Sequence, residues 1–289
     1  MTLSRTALAW VQLVRGPAAL TVPGDVLAGA AAAGGAPVRR LLPAAGASVC
    51  LYWAGMALND WADRDIDAQE RPGRPIPSGR VKPAAALAAA TGLTAAGIAL
   101  AATRSRGAAV TATAVAAAAW SYDLGLKHTQ AGPATMAAAR SLDVLLGAAT
   151  TGRSVLPALP SAALLGAHTY SVTTLSRHEA YGGPRSAPLA ALGATTAITA
   201  ALTTTGPDAA PPATRTAAAA YAWTAGRPLV DAARTPSADR VRGGVIGGLQ
   251  AMLPLQAALA SRSGKPLAVP GLLAAMAAAR RLSRKVTPT

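Results

Sequence analysis

The sequence contains no phenylalanine, and aromatic residues account for only 3% of its 289 positions. It has a single cysteine, Cys50, which lies within an apolar run. One cysteine excludes an intramolecular disulfide framework and a cysteine-based metal site. We therefore interpret Cys50 as a small buried hydrophobic residue.

Acidic residues are also scarce. The chain has 12 Asp and Glu residues against 27 Lys and Arg residues, which gives a formal net charge of +15. A strongly basic chain is typical of nucleic-acid-binding proteins, but basic loops that flank membrane helices produce the same excess. Because the basic residues here lie mainly between long apolar runs, we predict no nucleic-acid partner.

Long apolar runs dominate what is present. Hydrophobic residues make up 52% of the chain and charged residues 13%, which departs from an ordinary soluble domain. Several runs are long enough to cross a hydrocarbon core of about 30 Å. They lie at 8–33, 42–60, 84–103, 107–122, 133–150, 158–175, 187–205, 211–226, 241–260 and 267–280.

These runs predict an all-α fold, a polytopic membrane helix bundle of about nine transmembrane helices in one domain over residues 1–289. The last run is short, and whether it spans stays open. A soluble alanine-rich bundle is the alternative. The first run lacks a clear processing site, so we expect a retained helix rather than a cleaved signal peptide.

The Lys and Arg residues in the loops predict the orientation in the bilayer. Twelve of them fall on the side of the loop after the second run, and eight fall on the other side. Cytoplasmic loops are enriched in Lys and Arg. We therefore expect an integral, multi-pass protein of the plasma membrane with the loop after the second run in the cytoplasm.

That loop belongs to the stretch 59–80, NDWADRDIDAQERPGRPIPSGR, which holds five of the 12 acidic residues. On a helix, Asn59, Asp63 and Asp67 recur at i, i+4 and i+8, with Asp60 beside them. Clustered carboxylates repel one another unless a cation binds them. Hard oxygen ligands in this arrangement suit Mg²⁺ held together with substrate phosphates.

Prolines break the chain directly after the carboxylates and forbid a continuing helix. The same loop carries guanidinium groups that can bind phosphate oxygens in a forked geometry, on Arg71, Arg74 and Arg80. Carboxylates that bind Mg²⁺ and arginines that bind anions fit together if a diphosphate lies between them. The alternative is a solvated loop in which Asp and Arg side chains pair with each other.

Two more polar segments end predicted helices on the same side, SYDLGLKHT at 121–129 and TLSRHEAYGG at 174–183. Charged residues beside membrane segments are costly and mark functional sites. The loops on the opposite side are short or rich in Pro, Thr and Ala. We therefore predict that the functional site lies on this one face of the helix bundle.

Taken together, these segments resemble the UbiA superfamily of intramembrane prenyltransferases. The resemblance is carried by NDxxDxxxD, met by Asn59, Asp60, Asp63 and Asp67, and by RPIPSGR at 74–80. YDLGLK, with Tyr122 and Lys127, is similar to the family's YSxxLK, and Arg15-Gly16-Pro17 is similar to its early Arg-Pro signature. The resemblance implies a helix bundle around a central apolar cavity.

The resemblance also implies roles for the site residues. Asn59, Asp63 and Asp67 would hold Mg²⁺ on the diphosphate of a polyprenyl donor, with Asp60 assisting. The phosphate oxygens would be neutralised by Arg71, Arg74 and Lys127, and Arg15 and Tyr122 would belong to the substrate-binding residues. Departure of diphosphate would leave an allylic cation, which an apolar cavity shields from water.

The chain departs from the family at the second acidic motif, where SRHEAYGG offers one carboxylate. We expect Glu179 to be a ligand of a second Mg²⁺, and Arg177 to replace part of that site by direct charge pairing. His178 is a candidate base for the acceptor proton, with hydrogen-bonded packing as the alternative. This form resembles the EboC-like branch encoded in the ebo (edb) gene clusters, which implies a cyclitol-like acceptor.

Two charged residues inside an apolar run stay open. Arg140 and Asp143 lie at i, i+3 and form an ion pair with each other, or else Arg140 faces the diphosphate or Asp143 the acceptor. Asp123 replaces the Ser of the family's motif, and the sequence does not decide whether it adds a ligand or is exposed. His128 and His168 are interpreted as structural.

We therefore predict a Mg²⁺-dependent membrane enzyme that transfers a prenyl group from a polyprenyl diphosphate to a small aromatic or cyclitol-like ring. The alternatives are a terpene cyclase on the same scaffold and, from another class, a transporter or inactive scaffold. Scarce aromatic residues disfavour the cyclase. A transporter of organic solutes does not need the Mg²⁺ and diphosphate motifs.

Overall fold

The structure of the chain, a computed structural model, describes residues 4–15, 19, 21–204 and 210–262. The predicted tenth run at 267–280 lies outside the described residues, as do Gly16 and Pro17 of the early Arg-Pro signature. Over the described ranges the chain is all-α, as predicted, and contains no strand.

The described residues form eleven α-helices, which are numbered in chain order. Their bounds are α1 Arg5–Leu13, α2 Pro23–Ala32, α3 Val38–Ala62, α4 Arg64–Glu70, α5 Pro83–Ala102, α6 Arg106–Leu124, α7 Gly132–Ala149, α8 Leu159–Ser176, α9 Ser186–Thr203, α10 Pro212–Arg234 and α11 Ala238–Ser261. Single 3-10 turns lie at Leu126–His128 and Leu156–Ala158.

The first predicted run is two helices rather than one. After α1 ends, Arg15 has a φ of 48°, a left-handed conformation that stops a right-handed helix. The next helix begins at Pro23, where the missing N–H and fixed φ of proline suit the first helical position. The break leaves Arg15 at the end of α1, beside the acidic end of α3.

Four helices are long and apolar enough to cross a membrane by length and composition: α3, α5, α9 and α11. Helices α6, α7, α8 and α10 have 18 to 23 residues each. Each of them carries charged or polar residues that lower its mean hydropathy, for example Asp123 in α6, Arg140 in α7, His168 in α8 and Arg227 in α10. Together these eight long helices account for most of the nine predicted spans.

Close packing of α2 against α7 holds the middle of the bundle. Each helix presents a glycine to the backbone of the other: a Cβ at Gly29 would lie 1.7 Å from the carbonyl oxygen of Val144, and a Cβ at Gly147 would lie 2.1 Å from that of Val26. Small residues permit such close approach between membrane helices. Helix α2 also contacts α3, α8 and α11, so its position influences most of the bundle.

We expect Gly147→Ala to lower the free energy of unfolding by about 1–3 kcal/mol, because overpacking of a tight contact forces the two backbones apart. Thermal unfolding in detergent, followed by circular dichroism, measures the change. Gly92→Ala is the matched control, since a Cβ there meets no atom of the described chain within 4 Å and alanine is the better helix former. Equal melting temperatures for the two variants would contradict the proposed α2–α7 contact.

Candidate functional site

The acidic stretch lies where α3 ends and α4 begins, and it keeps its side chains together. Asp63 caps the end of α3, with its backbone N–H bonded to the carbonyl of Asn59 at 2.9 Å. The Asn59 side chain donates to Asp63 Oδ2 at 3.3 Å. Asp60 and Asp67 are both buried. The i, i+4 spacing therefore places an amide and carboxylates on one side of the helix end, as predicted.

Arg74 joins two of these carboxylates. Its Nη1 lies 3.3 Å from Asp60 Oδ1 and 2.6 Å from Asp67 Oδ2. Asp60 and Asp67 lie on successive helices, so one guanidinium group crosslinks α3 to α4. Charge-assisted bonds of this kind are stronger than neutral ones.

Two more guanidinium groups surround the same carboxylates at longer range. Arg15 Nη2 lies 3.6 Å from Asp60 Oδ1, and Arg71 Nη1 lies 3.8 Å from Asp67 Oδ1. Both arginine side chains are about half exposed, at 44% and 59%. They therefore have charged groups that reach solvent and can contact a ligand at the end of the bundle.

The loop after α4 is stabilised by hydrogen bonds of the Arg80 side chain. Arg80 donates to Ser78 Oγ at 2.9 Å and to the Gly73 carbonyl at 2.6 Å. Its Nη1 also donates to Gln12 Oε1 at 2.7 Å, which ties the loop to α1. Arg80 thus stabilises the loop, whereas Arg71 and Arg74 contact the carboxylates.

The end of α6 closes the site from the opposite side. Lys127 Nζ lies 2.6 Å from Asp63 Oδ1, and the lysine side chain is only 8% exposed. Asp123 is buried and accepts a bond of 3.1 Å from Asn59 Nδ2. The question left open by the sequence is therefore answered: Asp123 faces the amide at the site rather than solvent.

A cavity of 280 Å³ opens below this network, bounded by α3, α6, α7, Arg15 and Val22. Along α3 its lining runs from Asn59 to Ser48, which is about 16 Å of helix axis. Tyr122 lines the upper part, and Arg140 and Asp143 line the cavity from α7. The predicted central cavity is present, but it is not purely apolar.

Arg140 does not form its ion pair with Asp143. Arg140 Nη2 lies 3.0 Å from Asp25 Oδ2, on α2, and Asp25 is fully buried. Asp143 instead accepts a hydrogen bond from Ser48. The predicted i, i+3 pairing was wrong because the bundle brings α2 against α7 and offers Arg140 a carboxylate 115 positions away.

The SRHE segment lies at the end of α8. Arg177 donates to Gln130 Oε1 at 3.3 Å and to the Thr129 carbonyl, and it forms no ion pair within 4 Å among the described residues. His178 packs so close to Gly183 that a Cβ there would lie 2.7 Å from the imidazole ring. Arg177 therefore ties α8 to the turn after α6.

Glu179 is half-buried beside two arginines. Burial raises the pKa of the Glu179 carboxyl, and the nearby Arg242 and Arg71 guanidinium groups oppose that rise. Because Arg71 also neighbours Asp67, it lies between Glu179 and the carboxylates of α4. This places Glu179 at the same end of the bundle as the acidic network.

Two histidines have the structural roles expected of them or no site contact. His168 is buried, with Nδ1 3.1 Å from the Tyr221 hydroxyl and Nε2 3.0 Å from the Gly248 carbonyl. These bonds connect α8 to α10 and α11. His128 is exposed at the end of its 3-10 turn.

The structure thus brings most predicted residues into one network at the ends of α1, α3, α4 and α6: Arg15, Asn59, Asp60, Asp63, Asp67, Arg71, Arg74 and Lys127. Arg140 lies deeper, and Arg177 and His178 lie at the end of α8. Residues that the sequence did not single out are Asp25, Ser48 and Gln256. An acidic residue within the first apolar run of a chain with so few was an available signal for Asp25.

The donor set fits Mg²⁺ in chemistry, since amide and carboxylate oxygens are its preferred ligands. The described side chains do not include three His, Cys, Asp or Glu residues converging on one point that could hold a metal ion. Instead, Asp60, Asp63 and Asp67 are each held by Arg or Lys. Arg and Lys side chains also bind phosphate oxygens. A diphosphate can therefore replace the carboxylates as the partner of these side chains.

Comparison with known proteins gives a family match and several similar proteins. Residues 20–226 match the model of the UbiA prenyltransferase family. A digeranylgeranylglyceryl phosphate synthase of Methanopyrus kandleri is 44% identical over 85 residues, which are 29% of this chain and 30% of that protein. One of Halobacterium salinarum is 35% identical over 188 residues, 63% of this chain and 67% of that protein. The Methanopyrus match thus spans less than a third of that relative.

Solved structures share the fold. A UbiA homolog from Aeropyrum pernix K1 aligns with a TM-score of 0.67 at 20% identity, over 83% of this chain and 96% of that one. A UbiA homolog from Archaeoglobus fulgidus bound to DMAPP and Mg²⁺ aligns with a TM-score of 0.61 at 15% identity, over 82% and 98%.

We expect Arg74→Gln to lower the free energy of unfolding by about 3 kcal/mol, because it leaves two buried carboxylates without their shared partner. Thermal unfolding in detergent measures the loss. Arg240→Gln is the matched control, since Arg240 is 59% exposed and 3.8 Å from Asp231, and exposed pairs contribute at most about 1 kcal/mol. An Arg74 variant as stable as the control would contradict the crosslinking role.

Glu179→Gln should separate stability from function. Folding raises the pKa of Glu179, so the ionised form is disfavoured in the folded state. This cost is absent below the unfolded pKa, grows as pH rises from the unfolded to the folded pKa, and is constant above the folded pKa. The Gln variant should therefore match the wild type in acid and be at least as stable at neutral pH, while losing activity. Melting temperatures across pH and diphosphate release measure the two effects. Full activity in this variant would contradict a ligand role.

Proposed function

Because the chain belongs to the UbiA prenyltransferase family, we propose that it transfers a prenyl group from a polyprenyl diphosphate to a small ring acceptor within the membrane. One observation carries this proposal. An amide and three carboxylates are interleaved with four cations at the mouth of a cavity. A transporter or an inactive scaffold would not need metal-binding carboxylates combined with phosphate-binding cations at one site.

In this proposal, the cations bind the diphosphate. Arg15, Arg71, Arg74 and Lys127 would exchange their bonds to the carboxylates for bonds to phosphate oxygens. Guanidinium groups suit this task because their donors match the spacing of phosphate oxygens. The partly exposed Arg15 and Arg71 need the least rearrangement, so we assign them the first contact with the donor.

The freed carboxylates then have oxygen atoms available for Mg²⁺. Asn59, Asp63 and Asp67 are the residues that would hold the ion, with Glu179 contributing from α8 for a second one. When bound, Mg²⁺ stabilises the negative charge that develops on a leaving diphosphate. The structurally similar UbiA homolog from Archaeoglobus fulgidus is bound to DMAPP and Mg²⁺, which supports a role for Mg²⁺ beside a prenyl diphosphate.

Below the diphosphate, the cavity excludes water from the reacting carbon. Departure of diphosphate leaves an allylic cation that water would otherwise capture. The Tyr122 ring lines the upper cavity and can stabilise a cation through its face. The acceptor would approach from the cavity, form the new bond to the prenyl carbon and release a proton.

The aromatic content of the cavity favours transfer over cyclisation. Its only aromatic lining residues among those the structure describes are Tyr52 and Tyr122. A cyclase must fold a long cation on itself, which generally profits from an aromatic-lined cavity. We therefore keep the terpene cyclase as the less favoured alternative.

A second acceptor class has specific support. The relatives from Methanopyrus and Halobacterium are digeranylgeranylglyceryl phosphate synthases, and their name denotes a product that carries glyceryl phosphate. A glyceryl phosphate lipid is therefore a candidate acceptor beside the ring. The resemblance of SRHEAYGG to the EboC-like branch stays a prediction.

The location of the protein also stays a proposal. We place the bundle in the plasma membrane with the acidic network at its cytoplasmic side. The excess of Lys and Arg in the loops on that side supports this orientation. A water-soluble diphosphate head group would then enter from the cytoplasm while its prenyl chain stays in the bilayer.

We expect Asp63→Asn to reduce Mg²⁺-dependent diphosphate release from geranyl, farnesyl or geranylgeranyl diphosphate by at least about a hundredfold, since it removes a charged ligand from the metal site. Asp65→Asn is the matched control from the same stretch, because Asp65 is 85% exposed and, among the residues that the structure describes, pairs only with its neighbour Arg64. Chelation should abolish release in the wild type and in the control. Persistent release in Asp63→Asn or in chelator would contradict the site.

Product mass separates the alternatives in the same assay. A donor-plus-acceptor adduct identifies a transferase, whereas a cyclic hydrocarbon or terpene alcohol of the donor's carbon number, formed in the presence of acceptors, identifies a cyclase.

A further inference from the structure

We propose that the deep end of the cavity is an acceptor-binding subsite that selects an uncharged, hydroxyl-bearing molecule and rejects anionic acceptors. This subsite consists of Ser48, Arg140 and Asp143, which line the cavity. The inference rests on the proposed prenyl transfer and decides between its two acceptor classes.

Charge at the deep end comes from one guanidinium group and two carboxyl groups. Arg140 forms an ion pair of 3.0 Å with Asp25, and Asp143 lies beside the Asp25 carboxyl. No cation lies within 4 Å of Asp143 in the part of the chain that the structure describes. One positive charge with two carboxyl groups leaves a net charge of −1, or zero if the two carboxyl groups share a proton. Neither state attracts a phosphate or a carboxylate.

The Arg140–Asp25 pair is held in place by hydrogen bonds from α11. Gln256, on α11, donates to Asp25 Oδ1 at 2.6 Å and to the Thr21 carbonyl at 2.9 Å. Gly24 makes room for it, since a Cβ there would lie 2.1 Å from Gln256 Oε1. Asp25 is thereby fixed as the partner of Arg140, which cannot turn to an anionic ligand without leaving a buried carboxylate unpaired. Breaking such a buried pair costs several kcal/mol.

Asp143 has capacity left for a ligand. Its Oδ2 accepts from the Ser48 hydroxyl, and its carboxyl group also hydrogen-bonds the Asp25 carboxyl group when the two share a proton, whereas Arg140 Nε has no hydrogen-bond partner within the described residues. A hydroxyl group both donates and accepts, and a carboxyl group has more than one acceptor lone pair, so one hydroxyl can accept from the unpaired Arg140 N–H and donate to the Asp143 carboxyl group. Unpaired buried polar atoms are costly, which gives such a ligand a reason to bind here.

The same polarity makes this end unsuitable for the prenyl chain. A hydrocarbon tail placed against Asp143 and Arg140 would bury their polar atoms without hydrogen bonds. The reacting carbon must lie below the diphosphate, near Asn59, and the cavity continues from there to Ser48. The acceptor therefore occupies the deep end, with one group reaching up to the reacting carbon.

The test compares acceptors of similar kind and different charge, with geranyl diphosphate as donor and Mg²⁺ present. The uncharged probes are myo-inositol and catechol, and the anionic probes are 4-hydroxybenzoate and geranylgeranylglyceryl phosphate. We expect adducts with at least one uncharged probe, and rates for both anionic probes at least tenfold lower. An anionic probe that reacts faster than both uncharged probes would overturn the proposal.

Variants then assign the selectivity to the deep end. Asp143→Asn should raise the KM for the uncharged acceptor about tenfold or more, which corresponds to loss of a hydrogen bond to a charged group. It should also lower the ratio of the rate with uncharged acceptors to the rate with anionic acceptors. Ser48→Ala should change the KM in the same direction by less, because Ser48 only orients Asp143. Asp231→Asn, on the outer surface of α10, is the control that should change neither quantity.

Diphosphate release without acceptor distinguishes the two proposals. Failure of the wild type to release diphosphate from any donor would overturn the proposed function. Suppose instead that wild type and Asp143→Asn both release diphosphate normally, and that the variant has the same acceptor KM and the same preference for uncharged acceptors as wild type. The proposed prenyl transfer would then hold, and the assignment of the acceptor subsite would be wrong.

Discussion

Neutralisation of buried carboxylates by Arg and Lys is the constraint on which the rest of this structure depends. Asp60 lies in the last turn of α3, Asp63 caps that helix and Asp67 lies on α4, and unpaired charges at the end of a membrane helix are costly. Arg74 lies 2.6 Å from Asp67 and 3.3 Å from Asp60, and Lys127 lies 2.6 Å from Asp63. These contacts tie α3 to α4 and to the turn after α6. The same contacts position the groups that a diphosphate and Mg²⁺ would use, so folding and donor binding draw on one set of charges.

This dual use gives the site a definite resting state. Asp60, Asp63 and Asp67 are each paired with a cation of the chain, and Arg15, Arg71, Arg74 and Lys127 are each paired with one of these carboxylates. A ligand that brings both negative phosphate oxygens and a divalent cation can replace both halves at once without leaving a buried charge unpaired. A phosphate without the metal, or the metal without a phosphate, would leave one half unsatisfied, which favours their joint binding.

The sequence predicted the upper part of the site well because its spacing is local. Asn59, Asp63 and Asp67 lie within nine positions, and the i, i+4 backbone hydrogen bonds from Asp63 to Asn59 and from Asp67 to Asp63 fix their relative placement across the α3–α4 junction. It predicted the deep part poorly because those contacts join distant positions. The partner of Arg140 is Asp25 rather than Asp143, and Gln256 reaches Asp25 from 231 positions away. No periodicity within one helix reports which helix packs against it. The break in the first apolar run was missed for a different reason: hydropathy does not report backbone conformation, and Arg15 adopts a left-handed φ of 48° within that run.

The central claim is that Mg²⁺ and a prenyl diphosphate bind together at the acidic network. The most direct measurement is calorimetric titration of the detergent-solubilised protein with geranyl S-thiolodiphosphate, a donor that does not ionise readily, with and without Mg²⁺. The account predicts saturable binding with Mg²⁺ that is lost in chelator and in Asp63→Asn but kept in Asp65→Asn. Binding of equal strength in chelator would contradict it.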